Sequence, residues 1–300
     1  MNTIEAGRRI ALKNVLFATD FSPCSNAALP YAVSVARRYG ATLHAAHVMP
    51  TQADLLFMSP ENWSAVLEQE DKMIQGYVEQ LAHQMQGLPH EVLTPRGMVS
   101  DALARIVQER EIDLLVVGTH GRGGVRKLFM GSVAEEILRH AACPVLSIGP
   151  NVSCKPNGEI QFHHILFPTD FSEESLAALS YAISLAEDDQ AQLTLLHVIE
   201  HPAAGIVDLG AVTASGMRRL KELVPPEAEP WCHVECSVEF GQQFAPPAAR
   251  ILEIAGERAT DLIVLGVRPV HGKSGFATHL ASTTAQILTQ AACPVLTVRG

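Results

Sequence analysis

Short unbroken apolar runs alternate along this chain with longer stretches in which apolar residues return every third or fourth position. Runs of the first kind read as strands buried on both faces, and stretches of the second kind as amphipathic helices. Residues 14–19 form such a run; Ser22 and Pro23 then offer an N-cap and a first-turn proline for a helix that Gly40 ends. Residues 42–48 read as a second strand. From about 61 to 86, Trp63, Leu67, Ile74, Tyr77, Val78, Leu81 and Met85 fall on one helical face, and Gly87 stops the pattern. A third strand follows at 90–95, a third helix at 101–111, a fourth strand at 114–117, a fourth helix at 133–140 and a fifth strand at 145–148.

The whole pattern then returns. VLFATDFS at 15–22 recurs as ILFPTDFS at 165–172, YAVSVA at 31–36 as YAISLA at 181–186, His47-Val48 as His197-Val198, and AACPVL at 141–146 as AACPVL at 291–296. DLLVVG at 113–118 recurs as DLIVLG at 261–266, with the offset reduced from 150 to 148. A period this long means duplication of a complete domain. Residues 1–150 and 151–300 are the two copies, and the turn-forming PNVSCKPNG at 150–158 is the seam. The second copy has a shorter second helix, around 209–223. Five strands alternating with four helices predict an α/β fold, a doubly wound parallel sheet in each copy. Ligands of such sheets bind beyond the carboxyl ends of the strands, where the winding reverses. A reversal between the first and fourth strands sets Ala18-Thr19-Asp20 and the loop from Gly118 to Ser132 across one crevice.

That loop carries the candidate chemistry. VVGTHGRGGVRKLFMGS at 116–132 joins an apolar run to a glycine-rich basic turn and a helix start. Glycines allow positive φ and close backbone approach, so that N–H groups line a hollow. Ser132 is placed to cap the following helix, with Glu135 completing a capping box, and a helix N-terminus attracts an anion. A strand-to-helix glycine loop is also common in α/β proteins without any phosphate. Arg122, Arg126 and Lys127 read either as a solvated turn or as phosphate contacts, and His120 either as a ligand contact or as packing against a helix.

Composition narrows the classes. The formal charge of −10 argues against a nucleic-acid surface, and the acid gathers in the second copy: 13 Lys and Arg against 15 Asp and Glu in residues 1–150, 9 against 17 in residues 151–300. Six scattered cysteines without a C-x-x-C pair or a secretory leader suggest reduced thiols in a cytoplasm. No apolar run reaches membrane-spanning length. Cys232, His233, Glu235 and Cys236 lie on an alternating strand-like stretch, so they read as a buried strand before a metal site. Cys143 and Cys293 read as core, and His163-His164 as a chance surface metal ligand.

The motif TDFS after the first strand, the spacing G-x2-G-x9-G-S of Gly118, Gly121, Gly131 and Ser132, and the closing ACPVL together resemble the universal stress protein family, in both halves and over almost the entire chain. The resemblance implies two tandem Rossmann-like domains, adenine nucleotide alpha hydrolase-like, with strand order 3-2-1-4-5. It implies ATP as ligand of the first domain: Ala18, Thr19 and Asp20 at the adenine and ribose end, Val48 meeting the base through its backbone, and Gly118, His120, Gly121, Arg122, Gly131, Ser132 and Val133 around ribose and phosphates. It also implies a pseudo-dimer of the two domains with the last strands, 145–148 and 295–298, at the interface. Ala18 departs from the proline that the second copy keeps as Pro168. In the second copy Ala281 replaces Gly131 and Pro269 sits near the place of Gly121, which predicts an impaired cradle. Gly266, Gly272, Lys273 and Ser274 approximate a Walker A loop with one residue too many.

The expected role is a cytoplasmic stress-response switch governed by ATP, with an unidentified protein partner, no nucleic acid and no membrane. A pseudo-dimeric scaffold without nucleotide is the alternative, and a slow ATPase using Mg²⁺ to neutralise phosphates the third. Association of two chains into a homodimer is a further option.

Overall fold

The computed structural model describes residues 10–49, 63–119, 131–153, 160–200, 208–226, 233–242, 245–268 and 282–300, and for 63–71, 132 and 282 the backbone alone. The first half runs β1 (Asn14–Ala18), α1 (Pro23–Tyr39), β2 (Thr42–Ala46), α2 (Trp63–Gln84), β3 (His90–Leu93), α3 (Val99–Glu109), β4 (Leu114–Gly118), α4 (Ser132–His140) and β5 (Val145–Ile148). The second half repeats it as β6 (His164–Pro168), α5 (Glu173–Ala177), α6 (Leu179–Asp189), β7 (Gln192–Ile199), α7 (Leu209–Leu223), β8 (Val234–Phe240), α8 (Pro247–Glu257), β9 (Leu262–Val267), α9 (Ser282–Gln290) and β10 (Val295–Arg299).

Among the described residues all ten strands belong to one sheet, in the order β3-β2-β1-β4-β5-β10-β9-β6-β7-β8. Each half thus has the expected order 3-2-1-4-5, and within each half every pairing is parallel. The halves join where β5 and β10 pair antiparallel, Val295 opposite Ser147, Leu296 opposite Leu146 and Thr297 opposite Val145.

The strands are apolar without alternation because helices cover both faces; Val15, Leu16 and Phe17 are all fully buried. On one face α1, α2, α6 and α7 close a core around Phe17, Met85, Phe167 and Leu220, and on the other α3, α4, α8 and α9 close a second around Leu16, Leu115, Leu166 and Ile263. Both cores run through the joint into both halves. Helix α1 has the predicted ends: Ser22 accepts from the Ser25 amide, Pro23 stands at the first turn, and Gly40 at φ 62° caps the last turn. The second half departs from the first here. Its equivalent helix is divided at Ala178, whose N–H turns back to the Ser175 carbonyl, and Gln190 takes the left-handed position of Gly40.

Candidate functional site

Strands β1 and β4 are neighbours, with Ala18 beside Val117. Their carboxyl ends are where the chain reverses its winding, so the turn after β1 and the end of β4 stand side by side at the edge of a crevice.

The first turn is tightly built. The Thr19 hydroxyl bonds to Ser25 Oγ (3.0 Å) and accepts from the Phe21 amide (2.9 Å), while Asp20 Oδ1 accepts from the Ser22 amide (2.9 Å). Thr19 N–H donates to the Ala46 carbonyl, and His47 Nδ1 donates to the Thr19 carbonyl at 2.8 Å. These bonds hold Phe21 at φ 61°, a left-handed conformation that is costly for a bulky non-glycine residue. The Phe21 ring is clamped between His47 (centroids 4.5 Å apart) and Tyr77 of α2 (4.3 Å). The turn therefore sets the position of Asp20, and the Thr19 side chain, 7 % exposed, serves the turn itself. The second half repeats the construction: Phe171 stands at φ 63°, Thr169 bonds to Ser175, and His197 donates to the Thr169 carbonyl. There Arg219 lies 3.8 Å over the Phe171 ring where Tyr77 stacks in the first half. Asp170 is held by the Ser172 hydroxyl and amide; burial works to raise its carboxyl, yet these bonds outweigh it and leave it below the ordinary value.

Val48 follows β2. The amides of His47 and Met49 donate toward the β3 side, to Leu93 and Pro95. Because successive peptide groups alternate along an extended chain, the Val48 amide and carbonyl point the other way, toward the space that β1 vacates after Thr19. That is an edge suited to the donor and acceptor of a purine base.

On the other side, the Gly131 amide donates to the Thr119 carbonyl at 2.9 Å, and Thr119, fully buried, donates through its own amide to Ile148. Thr119 and Gly131 thus stand side by side. Gly131 is the N-cap of α4, at φ −63° and ψ 143°, and makes no side-chain cap. The expected capping box is corrected: Ser132 is the first helical residue, and the Glu135 amide closes the first turn on Gly131. The amides of Ser132, Val133 and Ala134 have no intrahelical acceptor and lie at the positive end of the helix. Val133 is exposed.

Gly118 has a different reason from the expected one. Its φ is not positive; α1 crosses it so closely that an added Cβ would stand 2.9 Å from backbone atoms of Cys24 and Ser25. Of the predicted residues, the structure brings Ala18, Thr19, Asp20, Val48, Gly118, Gly131, Val133 and the Ser132 backbone to one end of the sheet. His120, Gly121, Arg122, Arg126 and Lys127 lie outside the described residues, as do Pro269, Lys273, Ser274 and Ala281 of the second copy.

Elsewhere, no group of His, Cys, Asp and Glu among the described residues could hold a metal ion. Cys236 is on β8 as expected and packs against the first core. Burial pushes the Cys143 and Cys293 thiols up to about 12. His164 is corrected: it is buried, with Nδ1 donating to the Arg258 carbonyl and Nε2 bonded to the Thr194 hydroxyl, and is no surface ligand. Ser25, Phe21, His47 and Tyr77 are parts of this turn that were not among the expected site residues. The recurrence of T-D-F-S-x-x-S together with His47 and His197 was the available signal for the first three.

The profile of the universal stress protein family matches residues 11–148 and again 161–299. A universal stress protein of Mycolicibacterium smegmatis is 25 % identical over 305 residues, covering 95 % of this chain and 96 % of that protein. Universal stress protein A homolog 1 of Coxiella burnetii is 34 % identical over 139 residues, 45 % of this chain and 95 % of the relative. Among solved structures, a universal stress protein from Archaeoglobus fulgidus superposes with a TM-score of 0.69 at 18 % identity, covering 95 % of this chain and 98 % of the other, a likeness of fold. No described helix is long and apolar enough to cross a membrane.

Proposed function

Since the chain belongs to the universal stress protein family, in two tandem copies, we propose that its first half binds ATP in the crevice between the β1–α1 turn and the start of α4. Occupancy of that crevice would set the protein's conformation or partner choice in a cytoplasmic stress response. One observation carries the reading. The turn that fixes Asp20, the outward-facing peptide edge at Val48 and the amides opening α4 converge at the switch point of the first half. The donor set suits a nucleotide: a carboxylate for sugar hydroxyls, a peptide edge for the base, and helix-end N–H groups for phosphates. Bound ATP would supply three anionic phosphates beside the α4 amides, with Mg²⁺ as the natural counter-charge. The protein would act as a switch more than as a catalyst. The second half, with Pro269 and Ala281 in its loop, would bind nucleotide weakly or not at all.

The test starts from purified chain, heat-denatured and its supernatant assayed for adenine nucleotide, followed by calorimetry with ATP and Mg²⁺. One ATP per chain is expected. Asp20→Ala and Gly131→Val should each weaken binding roughly tenfold or more, while Asp170→Ala leaves it unchanged. No co-purified nucleotide together with no heat of binding would overturn the proposal in favour of a pseudo-dimeric scaffold, and two ATP per chain would overturn its assignment to the first half alone.

A further inference from the structure

The contacts between the halves obey a two-fold relation that can be read in residue numbers. Ser34 bonds to Ile160 while Ser184 accepts from Ile10, and each residue of one pair lies 150 positions from its counterpart in the other. The β5–β10 joint does the same: Val145 meets Thr297, Ser147 meets Val295, and Leu146 meets its own counterpart Leu296 on the axis. At one place the geometry is symmetric and the chemistry is not. Arg38 Nη1 donates to Asp189 Oδ2 at 2.8 Å, and the Tyr39 hydroxyl donates to Asp188 Oδ2 at 2.6 Å. Positions 38 and 39 are thus donors in the first half, and their equivalents 188 and 189 are both carboxylates.

From this asymmetry we infer that the surface at the end of α1 is a pairing lock, which accepts the unlike half of this protein and rejects the like half of a second copy. Two second halves joined in this way would set Asp188 against Asp189 twice, four carboxylates in a joint where the Asp189 side chain is only 3 % exposed. Two first halves would set Arg38 against Tyr39, leaving a largely buried guanidinium without its carboxylate. The groups that act on one another here are Arg38 and Tyr39 on α1 and Asp188 and Asp189 on α6. Burial, reinforced by the Asp188 carboxylate, pushes the Tyr39 phenol far above its ordinary value, so it remains a donor. Burial also raises the Asp189 carboxyl, against the pull of the Phe162 amide and Arg38. The lock is independent of what the crevice binds.

The test uses the full chain. Arg38→Asp with Tyr39→Asp recreates the like pairing of two second halves, and Arg38→Asn with Tyr39→Asn has the same shape without charge. At pH 8 the Asp variant is expected to melt at least about 3 °C below the Asn variant, and the gap should close toward pH 4 as carboxylates protonate. Adding Asp188→Arg and Asp189→Tyr to the Asp variant exchanges the two halves' residues and should recover most of the lost Tm. If the Asp pair does not fold at pH 8, Arg38→Asp against Arg38→Asn carries the same comparison. Equal melting of the Asp and Asn variants across pH, or no recovery in the exchanged variant, would overturn the lock.

Discussion

A methyl group added at Gly118 would stand 2.9 Å from the carbonyl of Cys24, and one at Gly266 would press closer still on that of Glu174. Real Cβ atoms do not approach backbone so closely, and neither partner is a side-chain tip that could swing away. Gly118 is the last residue of β4 and Gly266 the last but one of β9, each where the first turn of a helix crosses the strand, so at this scale they are packing residues. Gly118→Ala should therefore destabilise the protein by about 1–3 kcal/mol, with Gly266→Ala costing more, by urea unfolding of nucleotide-free protein. A loss visible only with nucleotide present would show that the space belongs to a ligand instead. Phe21 tells the opposite story. Its left-handed φ is carried by a non-glycine residue, held there by its own amide bond to the Thr19 hydroxyl, the neighbouring bonds of the turn and two ring contacts.

Two elements at the outer ends of the sheet are tied to the helix that follows them by the same device. Arg110, just past α3, clasps Glu91 of β3 through Nε and Nη2, and Arg258, just past α8, pairs with Glu235 of β8. Hydrogen bonding to the arginine holds each carboxyl below its ordinary value. A depressed carboxylate adds stability above its unfolded-state pKa and loses it as the pH falls through the lower folded-state value. Arg258→Ala should thus melt below wild type at pH 7, and the two should converge below about pH 4, where carboxylates protonate. A constant difference across that range would mean the arginine acts by packing alone. The strands themselves were legible because burial on both faces leaves unbroken apolar runs, and α7 was predicted with its observed bounds. Ends were less so: β3 stops at Leu93 and α3 begins at Val99 behind Met98, which makes no side-chain cap and so carries no sequence mark. The site was legible as far as one loop's own residues announce it. The His47 bond to Thr19, 28 residues away, and the Tyr77 stack on Phe21 arise only when the sheet assembles.

At the scale of the molecule, duplication suggests two independent units, yet the packing points to one. Leu146 and Leu296 pair on the axis, both cores continue through the joint, and α1 reaches across it to Ile160 and Asp189. Unfolding one half would strip the other of an edge strand's partner, expose core along the joint and leave Asp189 without Arg38. Each of these costs opposes a half-folded state, so the chain should melt in a single calorimetric transition whose van't Hoff and measured enthalpies agree. Phe17 and Phe167 lie in equivalent, fully buried places of the two halves. Truncating either to Ala removes about 3–5 kcal/mol, and each kcal/mol is worth roughly 2–4 °C in a chain of this order of size. Both variants should therefore shift the one peak as a whole, by similar amounts, wherever the change is made. Two resolved peaks in Phe17→Ala, with only the lower one displaced from its wild-type position, would show that the halves melt apart and that the shared core does not couple them.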